Sequence, residues 1–250
     1  MDLLEALVVT AAGVLAGGVN AIAGGGTLVS FPALLAVGLP PVTANSTSSV
    51  GLLAGYAGGS VAYRAELAGQ GPRARGLAAA AVAGGLAGAV LLLLTPGDGF
   101  RVIVPYLILL ASGLLAAQPR LKSALAARGV AAEHPGWEAQ LAIALGAAYG
   151  SYFGAGLGVV LLAALGVLVA DDLQRLNALK GVLSLVINLA GALVFMVTGN
   201  VNWLAALLLA AGALVGAGLG VSLARRLPAV WVRLVVVALG VAVAVALLLP

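Results

Sequence analysis

The chain has 250 residues, of which 63% are hydrophobic and only 8% are charged. Soluble domains carry about 25% charged residues, so this composition excludes a water-soluble domain and predicts an integral membrane protein. The formal net charge of +4 does not indicate nucleic acid as a partner, because the basic residues stand between apolar runs and form no patch of their own.

Eight apolar segments follow one another along the chain, and a membrane-spanning helix needs about 20 such residues. The segments are residues 3–37, 42–63, 77–95, 101–117, 139–169, 173–198, 203–223 and 229–249. The first lacks the basic region of a cleaved signal peptide, so we expect it to belong to the mature protein. The expected fold is an all-α polytopic membrane protein with about eight hydrophobic segments in the lipid bilayer.

Two of these segments, 3–37 and 139–169, are too long for one straight span and are interrupted by glycines. The interruptions read "AGGGT" at residues 23–27 and "GAGLG" at residues 154–158. Since glycine in a helix interior costs about 1 kcal/mol relative to alanine, both stretches predict a break. Each segment is expected to form two half-length helices, as a re-entrant hairpin or as a discontinuous helix.

The two halves of the chain resemble each other at a constant spacing, which predicts an internal repeat. An offset of 132 residues superimposes both glycine breaks and one asparagine: Gly24 on Gly156, Gly26 on Gly158, and Asn45 on Asn177. We expect residues 1–117 to form the first repeat and residues 139–250 the second. The longest polar joint, residues 118–138, is the expected linker between them.

The basic loops predict that the two repeats are inverted, because positive charge marks the cytoplasmic side of a membrane protein. Equivalent loops of the two halves carry opposite charge patterns. The loop after the second segment has Arg64, Arg73 and Arg75, whereas its counterpart in the second half, residues 199–202, is neutral. The loop after the seventh segment has Arg225 and Arg226, whereas its counterpart in the first half, "TPGDGF", is nearly neutral. Inversion requires an odd number of crossings in each half, so one segment per half enters and leaves on the same side.

We assign that role to the two broken segments. Every basic residue except Arg101 then falls on or near the inside, the N-terminus lies outside, and the 118–138 loop is cytoplasmic. A bent first segment that spans the cell membrane completely is the alternative.

The glycine breaks also predict a ligand site, because non-helical backbone at membrane depth is found where protein buries it or where it lines a cavity. Half-helix ends at such breaks face midplane sites, and free amides at a helix N-terminus bind anions. The residues expected to contribute are Gly24, Gly25, Gly26, Thr27, Gly154, Gly156 and Gly158. Other small-residue pairs are assigned to helix packing: Gly55 with Gly59, Gly84 with Gly88, and Gly212 with Gly216.

A polar run, "TANSTSSVG" at residues 43–51, follows the first break. Asparagine, serine and threonine are good helix caps, so capping explains Thr43 and Asn45 as well as a ligand-binding role does. Thr47 and Ser48 lie deeper along the helix and favour a polar cavity. Asn45, Thr47 and Ser48 are therefore among the expected substrate-binding residues.

At the equivalent position of the second half, Lys180 aligns with Ser48 inside an apolar segment. An ionisable residue within a membrane segment indicates function, whereas a lysine that snorkels to the interface is the alternative. Asn177, Ser184 and Asn188 share or flank the helical face of Lys180. These four residues complete the expected site.

All eight acidic residues lie at segment ends or in loops, so no carboxylate is available for a buried proton relay. Lys180 is then a single positive charge near the expected site, which favours a small anionic substrate. Efflux of an anion from an inside-negative cell is downhill by about 2.3 kcal/mol per charge at 100 mV. The chain has no cysteine and one histidine, His134, in a polar stretch, so neither a metal nor another cofactor is expected.

The two glycine motifs resemble signatures of the sulfite exporter TauE/SafE family. They read "GGVNAIAGGGTLVSFPALLAVGLPPVTANSTSS" in the first half, and "GAAYGSYFGAGLG" followed by "RLNALKGVLSLVINLAGALVFMVTGNVNW" in the second. By matching position, the motif residues are Gly24, Gly25, Gly26, Pro32, Pro41, Ala44 and Thr47, then Gly154, Gly156, Gly158, Asn177, Lys180 and Asn188. Ala155 and Leu157 stand where many relatives have a proline and a threonine. The resemblance covers nearly the whole chain and implies a membrane transporter for sulfite, sulfonates or related organosulfur anions.

The leading hypothesis is a secondary transporter that exports a small sulfur-containing anion. The alternatives are transport of another small organic anion, such as a carboxylate, and uptake instead of export. A hypothesis from another class is a structural membrane subunit that transports nothing. A membrane enzyme is not favoured, because the sequence offers no metal-ligand cluster, no paired carboxylates and no histidine within an apolar segment.

Overall fold

A computed structural model of the chain describes residues 1–22, 24–126, 136–224 and 229–249. The predicted all-α class is confirmed, since the regular structure of these residues is helical. The helices are α1 (Leu3–Ile22), α2 (Thr27–Ala36), α3 (Pro41–Gly51), α4 (Leu53–Ala62), α5 (Gly71–Leu94), α6 (Gly97–Ala126), α7 (Trp137–Tyr152), α8 (Leu157–Leu168), α9 (Leu173–Val197), α10 (Trp203–Ala224) and α11 (Ala229–Leu248).

Among the described residues, six helices contain a stretch long and apolar enough to cross a membrane: α1, α5, α6, α9, α10 and α11. Two of the eight predicted segments contain no helix of that length. Residues 42–63 are divided at Leu52 into α3 and α4, and residues 139–169 are divided into α7 and α8. Many large apolar side chains of the long helices are exposed, as expected for surfaces that contact lipid.

Both glycine breaks lie where the sequence predicts them. α1 ends at Ile22 because Gly24 has a left-handed backbone (φ +80°) and its amide donates to the carbonyl oxygen of Val19 at 3.0 Å. This helix-ending geometry favours glycine. After α7, Gly154 and Gly156 are also left-handed, with φ of +81° and +77°.

The helices beside the first break differ in length from the prediction. α1 has 20 residues and α2 has 10, whereas α7 has 16 and α8 has 12. Since about 20 residues cross a bilayer, the expectation of two half-length helices is wrong for α1. The reason is the position of the break, which follows Ile22 and lies past the middle of segment 3–37, so 20 residues precede it.

α6 is longer than the apolar segment from which it was predicted. It has 30 residues and continues to Ala126, so the first part of the polar 118–138 joint is helical. Polar residues end an apolar segment without ending a helix, because lysine, arginine and glutamine are good helix formers. His134, Arg225 and Arg226 lie outside the described residues.

α1, α3–α4 and α10 lie side by side and run in the same direction. Gly212 and Gly216 of α10 pack against the carbonyl groups of Thr10 and Val14 of α1 and leave no room for a side chain. The same order is found between α3–α4 and α10: Gly51 packs against Leu209, Gly55 against Ala213, and Gly58 against Ala217. Small residues permit such close approach between membrane helices.

α5 and α7 are parallel to each other in the same way. Gly84 of α5 packs against the carbonyl group of Ala144, and Gly88 packs against that of Ala148. The assignment of the pairs Gly84–Gly88 and Gly212–Gly216 to helix packing is thereby confirmed.

The bundle has two ends. End A is the end at which α1, α3 and α10 begin, and end B is the end at which α5, α7 and α9 begin. The position of α9 follows from Asp171, which forms ion pairs with Arg73 of α5 and Arg175 of α9. Since α3 begins where α2 has ended, the first hairpin (α1–α2) starts from end A and returns to it. Since α9 begins where α8 has ended, the second hairpin (α7–α8) starts from end B and returns to it.

Candidate functional site

A cavity lies where the two glycine breaks meet α4 and α9. Its volume is about 440 Å³, counting the space at its open side. The main polar side chains that line it are Asn20, Tyr56, Tyr63, Asn177, Lys180 and Ser184. The glycines that line it are Gly24, Gly55, Gly59, Gly158 and Gly181. Residues from both halves of the chain therefore form one site.

The two breaks touch each other at the cavity wall. A Cβ atom on Gly24 or on Gly158 would lie 2.9 Å from the Cα atom of the other, a distance that only glycine at both positions avoids. The Cβ position of Gly154 is 3.2 Å from Oγ1 of Thr27, so the start of α2 also lies against the second break. The structure thus brings together the two breaks, as the sequence predicts.

Lys180 supplies the charge of the cavity. Its residue is only 5% exposed, which argues against a side chain that snorkels to the interface. The ammonium group donates to Oδ1 of Asn177, three residues earlier on α9, at 2.7 Å. No carboxylate is found among the described residues that line the cavity. A positive charge away from water attracts an anion strongly, because the local dielectric constant is low.

Ser184 lines the cavity one turn beyond Lys180, whereas Asn188 lies one turn further and does not line it. The Asn188 side-chain amide donates to the carbonyl oxygen of Ser184 at 2.8 Å. The hydroxyl group of Tyr56 lies close to the side chains of Asn188 and Asn20. Asn188 therefore supports a cavity residue of α4 from behind.

Asn20 is a cavity residue that the sequence reasoning missed. Its Oδ1 accepts from the amide of Gly26 at 2.7 Å, which fixes the backbone of the first break. Its Nδ2 is buried and has no hydrogen-bond partner among the described residues. Asn20 stands directly before the glycines in "NAIAGGGT", so its position in the motif was the available signal.

The polar run of α3 does not line the cavity. Oγ1 of Thr47 accepts from the amide of Asn202 at 3.0 Å, and the hydroxyls of Ser48 and Ser30 are 2.6 Å apart. Nδ2 of Asn45 donates to the last carbonyl group of α7 at 2.9 Å. These hydrogen bonds join α3 to α10, α2 and α7, so the buried hydroxyls and amide hold helices together.

The expected site residues therefore divide into two groups. Those that line the cavity are Gly24, Gly158, Asn177, Lys180 and Ser184. Those placed outside its lining are Gly25, Gly26, Thr27, Asn45, Thr47, Ser48, Gly154, Gly156 and Asn188.

One face of α4 was also missed. Tyr56, Ser60 and Tyr63 line the cavity and recur at the i, i+4, i+7 spacing of a helical face. Gly59 lies on this face, and a Cβ atom there would have no neighbour within 4 Å. Its assignment to helix packing is wrong, whereas that of Gly55 holds, because its Cβ position is 3.3 Å from a side chain of α10.

The helices and the cavity define a polytopic membrane protein with a cavity between two interrupted helical segments. Residues 9–247 match the family described as "Sulfite exporter TauE/SafE", and the chain belongs to this family. The resemblance found in the sequence motifs is thereby confirmed. The protein is a membrane transporter of that family, which sets aside a purely structural subunit.

Three relatives are each described as a probable membrane transporter protein. The chain is 29% identical over 248 residues to "Probable membrane transporter protein ORF9" of Sinorhizobium sp, a match that covers 94% of this chain and 88% of that protein. It is 27% identical over 210 residues to YfcA of Escherichia coli K12, covering 82% and 76% of the two chains. A Haemophilus influenzae protein is 27% identical over 208 residues, covering 83% and 80%. No solved structure matches the chain.

Proposed function

We propose that this protein is a secondary transporter that exports a small sulfur-containing anion such as sulfite or a sulfonate. The observation that carries the proposal is the position of Lys180, which is 5% exposed and lines a cavity between the two glycine breaks. The family supports the same class of substrate, since its description names sulfite export.

In the proposed site, the ammonium group of Lys180 binds the charged group of the anion. Asn177 orients that ammonium through its hydrogen bond. Asn20, Ser184 and Tyr56 provide further donors around the anion. The proposed ligand lies beside backbone of both hairpins, because Gly24 and Gly158 line the cavity.

The residues outside the cavity lining have a supporting role in this proposal. Thr47, Ser48 and Asn45 join α3 to three other helices through hydrogen bonds of 2.6–3.0 Å. Thr27 and Gly154 pack the two breaks against each other. These contacts hold the hairpins in the positions that form the cavity.

The transport mechanism is alternating access between two inverted repeats, residues 1–117 and 139–250, joined by the 118–138 linker. The support is the reciprocal packing of the halves. α1 packs along α10, and α7 packs in the same parallel sense along α5, while the two hairpins start from opposite ends of the bundle. Both hairpins are then re-entrant, although α1 is long enough to cross a bilayer by itself.

End B is the cytoplasmic side in this proposal, and end A with the N-terminus lies outside the cell membrane. The described basic residues near end B are Arg64, Arg73, Arg75, Arg120, Arg175 and Arg233, whereas Arg101 in the first turns of α6 is near end A. This distribution follows the positive-inside rule. An inside-negative potential then drives an anion outward by about 2.3 kcal/mol per charge at 100 mV, so export needs no buried proton relay.

The binding test measures the thermal unfolding temperature of the purified protein in the presence of sulfite, thiosulfate, sulfoacetate or taurine. A ligand that binds the folded state raises the unfolding temperature. Lys180→Ala is expected to weaken binding by about tenfold or more, since a hydrogen bond to a charged group contributes about 1.5–3 kcal/mol. Arg75→Ala is the matched control, because Arg75 is an exposed cation that does not line the cavity.

The transport test measures flux of the same anions in proteoliposomes under an imposed membrane potential. Anion flux that is lost in Lys180→Ala and kept in Arg75→Ala supports the proposal. Unchanged flux in Lys180→Ala would show that the site is wrong. Flux of small carboxylates without flux of sulfur anions would support the alternative substrate, and flux opposed to the predicted direction would support uptake.

A further inference from the structure

Three of the five glycines that line the cavity have a structural reason to be glycine. Gly24 and Gly158 touch across the two breaks, and the Cβ position of Gly55 is 3.3 Å from a side chain of α10. Neither reason applies to Gly59 in α4 or to Gly181 in α9. These two positions therefore need another explanation.

Gly59 and Gly181 leave space that no protein atom fills. A Cβ atom on Gly59 would have no neighbour within 4 Å, and one on Gly181 would meet only Oγ of Ser60, at 3.9 Å. Neither residue has a positive φ, and both lie inside helices, where alanine is more favourable than glycine. The fold thus gains nothing from glycine at these positions, and the unfilled space belongs to the cavity that both residues line.

This space belongs to the cavity that Lys180, Tyr56 and Tyr63 also line. Gly181 follows Lys180 directly in α9. Gly59 is three residues after Tyr56 and four before Tyr63, so the three share one helical face and Gly59 forms a gap between the tyrosines. An anion bound at Lys180 thus has unfilled space for an uncharged group in the same cavity, at these two glycines.

We propose that Gly59 and Gly181 determine which anions the site accepts, by leaving room for an organic substituent on the bound anion. This inference rests on the proposed anion site at Lys180. The ligand class is a small organic anion, such as a sulfonate with a short carbon chain, and the two missing side chains set the largest substituent that fits. Alanine at either position fills part of that room.

The experiment compares sulfite with methanesulfonate, ethanesulfonate and propanesulfonate, each titrated into wild-type protein, Gly59→Ala and Gly181→Ala. Each variant is expected to weaken binding of the longest sulfonate that wild-type protein binds by about tenfold or more, the discrimination that one methylene group gives in a tight pocket. Sulfite binding is expected to weaken less than sulfonate binding in each variant, because sulfite carries no organic substituent. Gly113→Ala is the matched control, since Gly113 lies inside α6, is exposed and also has no neighbour within 4 Å of its Cβ position.

Both cavity variants should unfold at or above the wild-type temperature, because alanine favours the helix. A large fall in unfolding temperature would show that the new methyl group meets protein, and would overturn the proposal. The same dependence on chain length in wild-type protein and in both variants would overturn it as well.

Acetate, propionate and butyrate are titrated in parallel, so that the size effect is measured independently of the charged group. If only carboxylates bind, the proposed sulfur-anion substrate is wrong, and loss of butyrate binding in the variants would still support the role of the glycines. If sulfonates bind all variants alike, the role of the glycines is wrong and the proposed function stands. Binding of neither series to wild-type protein would overturn both.

Discussion

The contact between Gly24 and Gly158 holds the two hairpins together, and Gly158→Ala tests it directly. The new Cβ atom would lie 2.9 Å from Cα and 3.3 Å from the carbonyl oxygen of Gly24. Carbon atoms pack favourably at about 3.5–4.0 Å, so the two breaks must separate by a sizeable part of an ångström. Overpacking of this kind costs about 1–3 kcal/mol, because backbone rather than a flexible side chain has to move.

Gly24→Ala crowds the same contact from the other side, with its Cβ atom 2.9 Å from Cα of Gly158, and adds a second cost. Its backbone has a φ of +80°, a left-handed conformation that costs an L-residue about 1–2 kcal/mol. The expected loss of stability is therefore about 2–5 kcal/mol, larger than for Gly158→Ala. The two substitutions act on one contact, so their effects are not expected to add.

The assay is unfolding of purified protein in detergent, with Gly113→Ala as the control for glycine replacement in an open position. Gly113→Ala should be as stable as wild-type protein or slightly more stable, by up to about 1 kcal/mol. The order of stability is expected to be Gly113→Ala, Gly158→Ala, then Gly24→Ala. If Gly158→Ala is as stable as Gly113→Ala, the two breaks do not touch and the reasoning is refuted.

Three further predictions concern the break, end B and the topology. Asn20→Ala removes the acceptor of the Gly26 amide and should lower stability by about 1–3 kcal/mol; an unfolding temperature equal to that of wild-type protein would contradict this. Burial alone would raise the pKa of Asp171, but hydrogen bonds from the Arg175 side chain and the next backbone amide, together with the charges of Arg175 and Arg73, hold that pKa below its usual value. A lowered carboxylate pKa stabilises the fold above the unfolded value of about 4 and loses that effect as the pH falls through the folded pKa. Asp171→Asn should therefore cost about 1 kcal/mol or less at neutral pH and should flatten the loss of stability on acidification, as unfolding at several pH values would measure. Because the chain has no cysteine, Thr198→Cys at end A should react with an impermeant thiol reagent from outside intact cells and Ser123→Cys near end B should not; the opposite labelling would reverse the proposed orientation.

The sequence by itself determined the membrane class, the all-helical fold and the positions of both breaks. Composition decides the first, since 8% charged residues cannot cover a water-facing surface. Local backbone preference decides the breaks, because Gly24, Gly154 and Gly156 have left-handed conformations that other residues avoid. The pair Lys180–Asn177 was also predictable, because residues three apart share a helical face.

Only the tertiary structure decided whether a polar helical face contacts another helix or lines the cavity. Thr47 and Lys180 are both polar residues inside predicted apolar segments, yet Thr47 accepts from the amide before α10 and Lys180 lines a cavity. Gly55 and Gly59 are one turn apart on α4, but only Gly55 packs against α10. Helical spacing fixes which residues share a face, whereas the facing surface comes from segments more than a hundred residues away. Asn20 and Tyr56 line a cavity that both halves of the chain form, so only the tertiary structure identifies them as cavity residues.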